Sequence, residues 1–435
     1  MPPVSGESEH LETRRYSRAA GLLSAGIALG GLLIYAYFGL ASHSLTPDEY
    51  GEIVVLWSSI VVVVSILFRP IEQLLARTVA EAHARGASDG HAIRVAGTIA
   101  AAFAVTFLAG VLVYGLDFFT RGIVAGRGQF QLYATLLIAY GVMFVAFAGV
   151  VAADAGPGFH FLAVGIAASP LVGLAIVLVA LAAEARSRRR APPRDAYGPG
   201  SIRATLASGT GFAAAVLLVM LSEQVLVNAG PLMVRATEDA ALAGFVFNVL
   251  MVARAPIALF QGIAASLLPT LARLRSRAEP ADLKAFSASV QGTIRAVAGF
   301  ALLSAVVMLT AGPELMQAAF GDSFDYDRAD LVLVTGGLGL YLTAATLNQA
   351  ALARGQARTA AAIWVGTALA FLAFNALPIL DAALRVELGF AGGAAVLCAA
   401  LLAVYRRPDP GRGEGLEPGS PQELQATLAA AEEGA

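Results

Sequence analysis

Long apolar stretches alternate with short polar breaks along almost the whole chain. The apolar runs fall near residues 17–41, 51–75, 92–116, 132–153, 161–183, 205–229, 241–265, 290–311, 331–352, 360–380 and 384–404. Each is long enough to cross a bilayer, which takes about 20 residues of helix. Only a helix satisfies its own backbone hydrogen bonds in hydrocarbon, so each run is expected to cross as one. The pattern predicts an all-α polytopic membrane protein with about 11 transmembrane helices.

Lysine and arginine in the short breaks set the expected orientation. Arg14, Arg15 and Arg18 place the N-terminus in the cytoplasm, and Arg406 and Arg407 place the C-terminus there too. Arg77 and Arg85, the run Arg186, Arg188, Arg189, Arg190 and Arg194, the group Arg273, Arg275, Arg277 and Lys284, and the pair Arg354 and Arg358 mark further inner breaks. The breaks between those of the second half are acidic, with Glu238 and Asp239, then Glu314, Asp322, Asp325, Asp327 and Asp330. The second half therefore reads as a self-consistent bundle of about six helices. The first half conflicts with itself, because Arg77 and Arg85 before the 92–116 run and Arg121 and Arg127 after it both read as cytoplasmic. Two cytoplasmic termini also require an even number of spans.

An internal repeat locates the conflict. Gly51 and Phe68 match Gly244 and Phe260 at an offset of about 193, while Arg127-Gly128-Gln129 matches Arg354-Gly355-Gln356 at an offset of 227. The first half is thus about 34 residues shorter between these marks, the length of one helix and a loop. Two homologous bundles are expected, with the third and fourth helices of the first collapsed into one apolar stretch. The expected organisation is an N-terminal tail over 1–16, a first bundle over 17–184, a basic linker over 185–204, a second bundle over 205–405 and a tail over 406–435.

Composition narrows the functional classes. The chain is 57% hydrophobic and 14% charged, whereas soluble proteins carry about 25% charged residues. A net charge of −2 gives no electrostatic attraction to nucleic acid. The single cysteine, Cys398, and five scattered histidines without metal-ligand spacing offer no metal site. No phosphate-binding glycine loop of the ATPase type and no catalytic constellation occurs, so no enzyme and no cofactor is expected.

Several short stretches carry a resemblance. They are Leu45-Thr46-Pro47-Asp48-Glu49-Tyr50-Gly51, Thr120-Arg121-Gly122-Ile123-Val124-Ala125-Gly126, Asn228-Ala229-Gly230-Pro231-Leu232, Ala253-Arg254-Ala255-Pro256, Leu259-Phe260-Gln261 and Leu268-Pro269. In order and spacing they resemble the polysaccharide and lipid-linked oligosaccharide flippase branch of the multidrug/oligosaccharidyl-lipid/polysaccharide exporter superfamily. That resemblance implies a MATE-like pair of six-helix lobes that rock to expose a central cavity to either side. It also implies a lipid-linked saccharide as cargo, membrane lipid as surroundings, and proteins of polysaccharide biosynthesis as possible partners. The missing helix departs from this pattern.

The candidate binding residues are polar side chains inside apolar runs, where an ionisable group is costly unless paired or wet. Arg254 lies near mid-span, and Glu223, Gln224 and Asn228 lie on the preceding run. One reading is an interior surface where Arg254 meets a pyrophosphate or sugar acid. The other is a structural Glu223–Arg254 ion pair. Gln261 is a further candidate, although such amides more often bridge helices. Arg69 and Gln73, one turn apart, form either a cytoplasmic mouth for a phosphate headgroup or a snorkelling interface anchor. Pro256 and Pro70 are candidate hinges. The functional expectation is alternating access for a lipid-linked oligosaccharide or polysaccharide precursor in a bacterial inner membrane, with both termini cytoplasmic. Two alternatives stand beside it, a cation-coupled drug antiporter of the same superfamily and a degenerate, non-transporting paralogue. The antiporter needs an acid deep in a lobe, for which the sequence offers Glu223 and, in the first half, Glu72.

Overall fold

The computed structural model describes residues 25–27, 29–84, 109–127, 129–153, 158–188, 199–252, 256–257, 260, 271 and 280–407. Among them are eleven helices and no strand. They are α1 (Ala25–Ser44), α2 (Pro47–Ala84), α3 (Ala109–Gly126), α4 (Phe130–Ala152), α5 (Phe159–Arg188), α6 (Pro199–Thr237), α7 (Ala240–Val252), α8 (Pro280–Phe320), α9 (Arg328–Ala353), α10 (Ala357–Ala376) and α11 (Ala382–Arg406). Eight contain windows apolar and long enough to cross a membrane. The protein is an all-α, multi-pass membrane protein.

Most helices outrun the apolar stretches that predict them. Helix α6 begins six residues before its run, with Pro199 at its first position, where proline's missing N–H costs nothing. Helix α3 departs most from expectation. The 92–116 run lies partly outside the described residues, and the segment Thr120–Gly126, read as a loop, is the last part of α3. Arg121 explains the difference. Its guanidinium lies 2.6 Å from the Asp117 carboxylate one turn back, 4.9 Å from the Phe118 ring centroid and 5.9 Å from that of Tyr140. The charge is matched within the helix and does not mark a loop. The expected collapse of two helices into one falls mainly on residues 85–108, outside the described set.

The matching Arg-Gly-Gln text of the two halves builds matching turns. The Arg127 N–H donates to the Ile123 carbonyl and that of Gln129 to the Val124 carbonyl, 3.0 Å each. In the second copy the Arg354 N–H donates to the Ala350 carbonyl at 3.1 Å and that of Gln356 to the Ala351 carbonyl at 2.9 Å. The second bond spans five residues in both copies, the signature of a helix stop closed by a left-handed residue. Gly355 supplies that residue with φ +75°.

Contacts divide the chain into two compact units, Met1–Ala41 with Ile66–Tyr197, and Ser42–Ser65 with Gly198–Ala435. The first half of α2 therefore belongs to the second unit. In the first unit, α1 lies tight against α4: a Cβ on Gly141 would stand 2.7 Å from Leu33 Cβ, and one on Gly26 2.5 Å from Ala134 Cβ. Tyr37, Phe144 and Tyr140 fill the adjacent core with edge-to-face contacts, Tyr37–Phe144 at 5.0 Å and Tyr140–Phe144 at 4.6 Å between centroids.

In the second unit α9 is the central element, packed against α8 and α11. Its window is 61% buried, against 6% for α8, so α8 is the element that offers its length to lipid. Small residues set the spacing of α11. A Cβ on Gly337 of α9 would stand 2.8 Å from the Ala391 backbone, and one on Gly230 of α6 would stand 2.6 Å from Val386. Such close approach is how helices associate where apolar surface alone gives no drive.

Candidate functional site

The second unit holds the site, where the N-terminal ends of α9 and α11 lie side by side. Both helices start on an aspartate. Asp327, in an extended conformation, accepts the Ala329 N–H at 2.6 Å. Asp381 accepts the N–H groups of Ala383 at 3.0 Å and Leu384 at 3.4 Å. A carboxylate at such a position meets unpaired N–H groups and the positive end of the helix dipole. Capping thus collects acids at this end for a local reason.

Glu387 needs a different account. It sits six residues beyond the Asp381 cap and is 0% exposed. Neither carboxyl oxygen has a hydrogen-bond donor. Asp330, on the first turn of α9, is the acid whose charge acts on it most strongly. The burial follows from the packing of α11 on α9, where Phe390 stacks on Tyr341 at 6.2 Å and Gly337 admits Ala391. Arg385, two residues before Glu387 and itself 7% exposed, directs Nη1 to the Leu377 carbonyl at 2.9 Å and the Leu380 carbonyl at 3.5 Å. It serves the carbonyls that follow α10, and no arginine or lysine among the described residues pairs with Glu387.

Asp330 also faces outward, into a pocket of about 420 Å³ lined by Pro313, Asp325, Tyr326, Asp327, Arg328 and Asp330 itself. Arg328 is held at 2.8 Å by Glu314. Tyr326 forms the pocket's inner wall: its ring stacks on Phe245 at 5.6 Å, and its hydroxyl accepts from Asn248 Nδ2 at 3.0 Å. The Tyr50 hydroxyl donates to Asn248 Oδ1 from the other side. Burial pushes the ionisation of Tyr326 up, and the Asn248 hydrogen bond opposes this less strongly. The tyrosine is therefore a neutral wall beside an acidic mouth.

The first unit has its own buried charge. Asp117 is 0% exposed and paired with Arg121, beside the Tyr114–Tyr140 hydroxyl contact of 3.2 Å. Tyr114 also donates to the Ile166 carbonyl at 2.8 Å.

The residues singled out from sequence have a mixed placement. Gln224 and Asn228 are buried on α6, and Asn228 Nδ2 donates to Gln224 Oε1 at 3.0 Å. Glu223 is half-buried on the same helix. Pro256 lies in helical backbone, half-buried. Arg69, Pro70, Glu72 and Gln73 lie in the backbone of α2, with side chains outside the described set. Arg254 and Gln261 lie outside the described residues, so the Glu223–Arg254 pairing does too. Asp117 and Glu387 are buried acids that the apolar pattern does not single out, so Glu223 and Glu72 are not the only acids on offer. Glu387 carries one sequence signal, an acid three residues inside a predicted span.

Comparison with known proteins gives fold without close kinship. No family model matches the chain, and no curated protein does. Among solved structures, an inward-facing multidrug resistance MATE family transporter of the MOP superfamily matches at TM-score 0.63 and 11% identity, over 93% of this chain and 96% of the other. The Vibrio cholerae MATE transporter VcmN in its bent form matches at 0.58 and 14% identity, over 91% and 97%. An outward-facing multidrug resistance MATE family transporter matches at 0.55 and 13% identity, over 97% of each chain. The described helices are thus arranged in a MATE-like fold.

Proposed function

We propose that this chain is a secondary transporter that works by alternating access and draws on an ion gradient. One observation carries the reading: Glu387 is fully buried in an apolar span with no donor to either carboxyl oxygen. An unneutralised carboxylate there costs several kcal/mol, an arrangement retained where the group works. Fold supports the same reading, because the similar solved structures are described as transporters.

The cargo we propose is a lipid-linked oligosaccharide or polysaccharide precursor. Its support is the sequence resemblance, together with Arg254 and Arg69 as cations suited to a diphosphate. The setting would be a bacterial inner membrane with both termini cytoplasmic, beside proteins of polysaccharide biosynthesis. A second reading, the cation-coupled drug antiporter, is favoured by the buried acids Asp117 and Glu387 and by the multidrug resistance described for two of the similar structures.

Purified protein in proteoliposomes separates the two. A fluorescent polyprenyl-diphosphate saccharide and ethidium are offered in parallel, with and without an imposed pH or sodium gradient. Gradient-dependent movement of the saccharide lipid, lost in Arg254→Ala, supports the first reading. Movement of ethidium alone moves the assignment to the second, and movement of neither under any gradient sinks the transport reading.

A further inference from the structure

We propose that the exposed face of α8 from Lys284 to Leu309 is a binding site for one anionic phospholipid, with its phosphate on Arg295 and Gln291 and an acyl chain along Leu302, Val306 and Leu309. Such a site is independent of what the chain transports.

Charge fixes the depth of this face. Between Arg295 and Glu314 the sequence has no charged residue. That stretch of helix rises about 28 Å at about 1.5 Å per residue, close to the hydrocarbon thickness of about 30 Å. Arg295 and Glu314 therefore bracket the hydrocarbon, each at a headgroup boundary. Glu314 is neutralised by Arg328 at 2.8 Å. Arg295 is not neutralised. Its Nη2 donates to Gln291 Oε1 at 3.5 Å, and no ion pair to Arg295 or Lys284 occurs among the described residues. From Lys284 to Arg295 the sequence contains no acid.

One face of the helix joins the headgroup level to the acyl level. Lys284, Gln291, Arg295, Gly299, Leu302, Val306 and Leu309 follow one another at steps of three, four or seven residues, the repeat of a single helix face. All seven are exposed. A Cβ on Gly299 would meet nothing within 4 Å, so the backbone is open where an acyl chain would pass the guanidinium.

The basic end selects the charge of the lipid. Ile294, beside Arg295, and Tyr405, beside Arg406, pack on the same core of Phe286, Val290 and Ala353. The end of α11 therefore stands at the level of Arg295, and Arg406 and Arg407 are exposed there. Arg354 is already committed, donating to the Tyr405 carbonyl at 2.8 Å with the Phe286 centroid 5.5 Å away. A headgroup without an ammonium suits this end better than a zwitterionic one. A second copy of the chain fits less well. Two copies joined along this face about an axis normal to the bilayer would set Arg295 against Arg295 at equal depth, a like-charge contact.

Native mass spectrometry of the full-length protein, released from nanodiscs of mixed phosphatidylglycerol and phosphatidylcholine, reads the site. The wild type should retain one phosphatidylglycerol per chain in preference to phosphatidylcholine. Arg295→Gln should lower that retention about fivefold, whereas Arg358→Gln, at an exposed position of α10, should not. A phosphatidylglycerol with a diazirine in its acyl chain should label the wild type between Gly299 and Leu309, a readout that stands even if Arg295→Gln fails to fold. Equal retention of both lipids, equal loss in both variants, unchanged retention in Arg295→Gln or labelling confined to other helices would overturn the site. A lipid-free dimer would give the face to a second copy. Displacement of phosphatidylglycerol by an equimolar polyprenyl diphosphate would give it to a lipid-linked diphosphate. Either result overturns the phospholipid assignment.

Discussion

Asn248 shows what a single buried amide does in this protein. It is 0% exposed and uses both ends of its side chain, accepting from Tyr50 and donating to Tyr326. Tyr326→Phe keeps the ring stack on Phe245 and leaves the Asn248 N–H without its acceptor. A loss of about 1–3 kcal/mol is expected, read as a lower thermal unfolding midpoint in detergent. Arg121 sets a harder case. Arg121→Ala strands Asp117, which is fully buried, and should cost about 3–5 kcal/mol. Removing both members in Arg121→Ala with Asp117→Ala should cost less than Arg121→Ala alone, and equal or greater loss would contradict the ion-pair account. None of this was legible from the residues themselves. Asp117 and Arg121 read as a span end and an inner flank, because one-dimensional text does not show that a charge one turn away neutralises another.

Helix ends and helix contacts follow rules of two different ranges. Asp381 is a local device, and Asp381→Ala should cost about 1 kcal/mol through loss of the cap. The close contact at Gly337 is a tertiary device. Gly337→Val drives a Cβ to 2.8 Å from the Ala391 backbone and should destabilise by about 1–3 kcal/mol. Gly366, on α10, meets nothing within 4 Å of an added Cβ. Gly366→Ala should therefore leave packing intact and stabilise by about 0.5–1 kcal/mol, since alanine loses less freedom in a helix. Comparing the two variants in one thermal assay separates crowding from propensity. At this scale the sequence was most informative. The apolar runs located α4, α9 and α11 to within a few residues, and the repeated Arg-Gly-Gln marked two turns of one geometry. It failed at α3, where a paired arginine lets the helix run on.

For the molecule as a whole, each unit buries an acid, Asp117 in the first and Glu387 in the second, but not at corresponding positions. At the offset of 227 that aligns the Arg-Gly-Gln turns, Glu387 corresponds to His160, an exposed residue at the start of α5. On the proposed transport reading, the role argued for Glu387 has no acidic counterpart at that position of the first unit. His160→Ala should leave gradient-driven transport unchanged in proteoliposomes, whereas Glu387→Gln should abolish its dependence on the gradient. Equal effects from both would point away from Glu387.

The sequence by itself determined that this is an all-α membrane protein and roughly where its helices cross. Hydrocarbon forces every long apolar run to satisfy its own backbone, and that demand is written residue by residue. What only the tertiary structure decided is which acids are dry. Glu387 lies near a helix start, where an acid most often faces water. Its burial depends on the rotation of α11 and on glycine and alanine letting that helix close on α9, and neither quantity is carried by the length or hydropathy of a run.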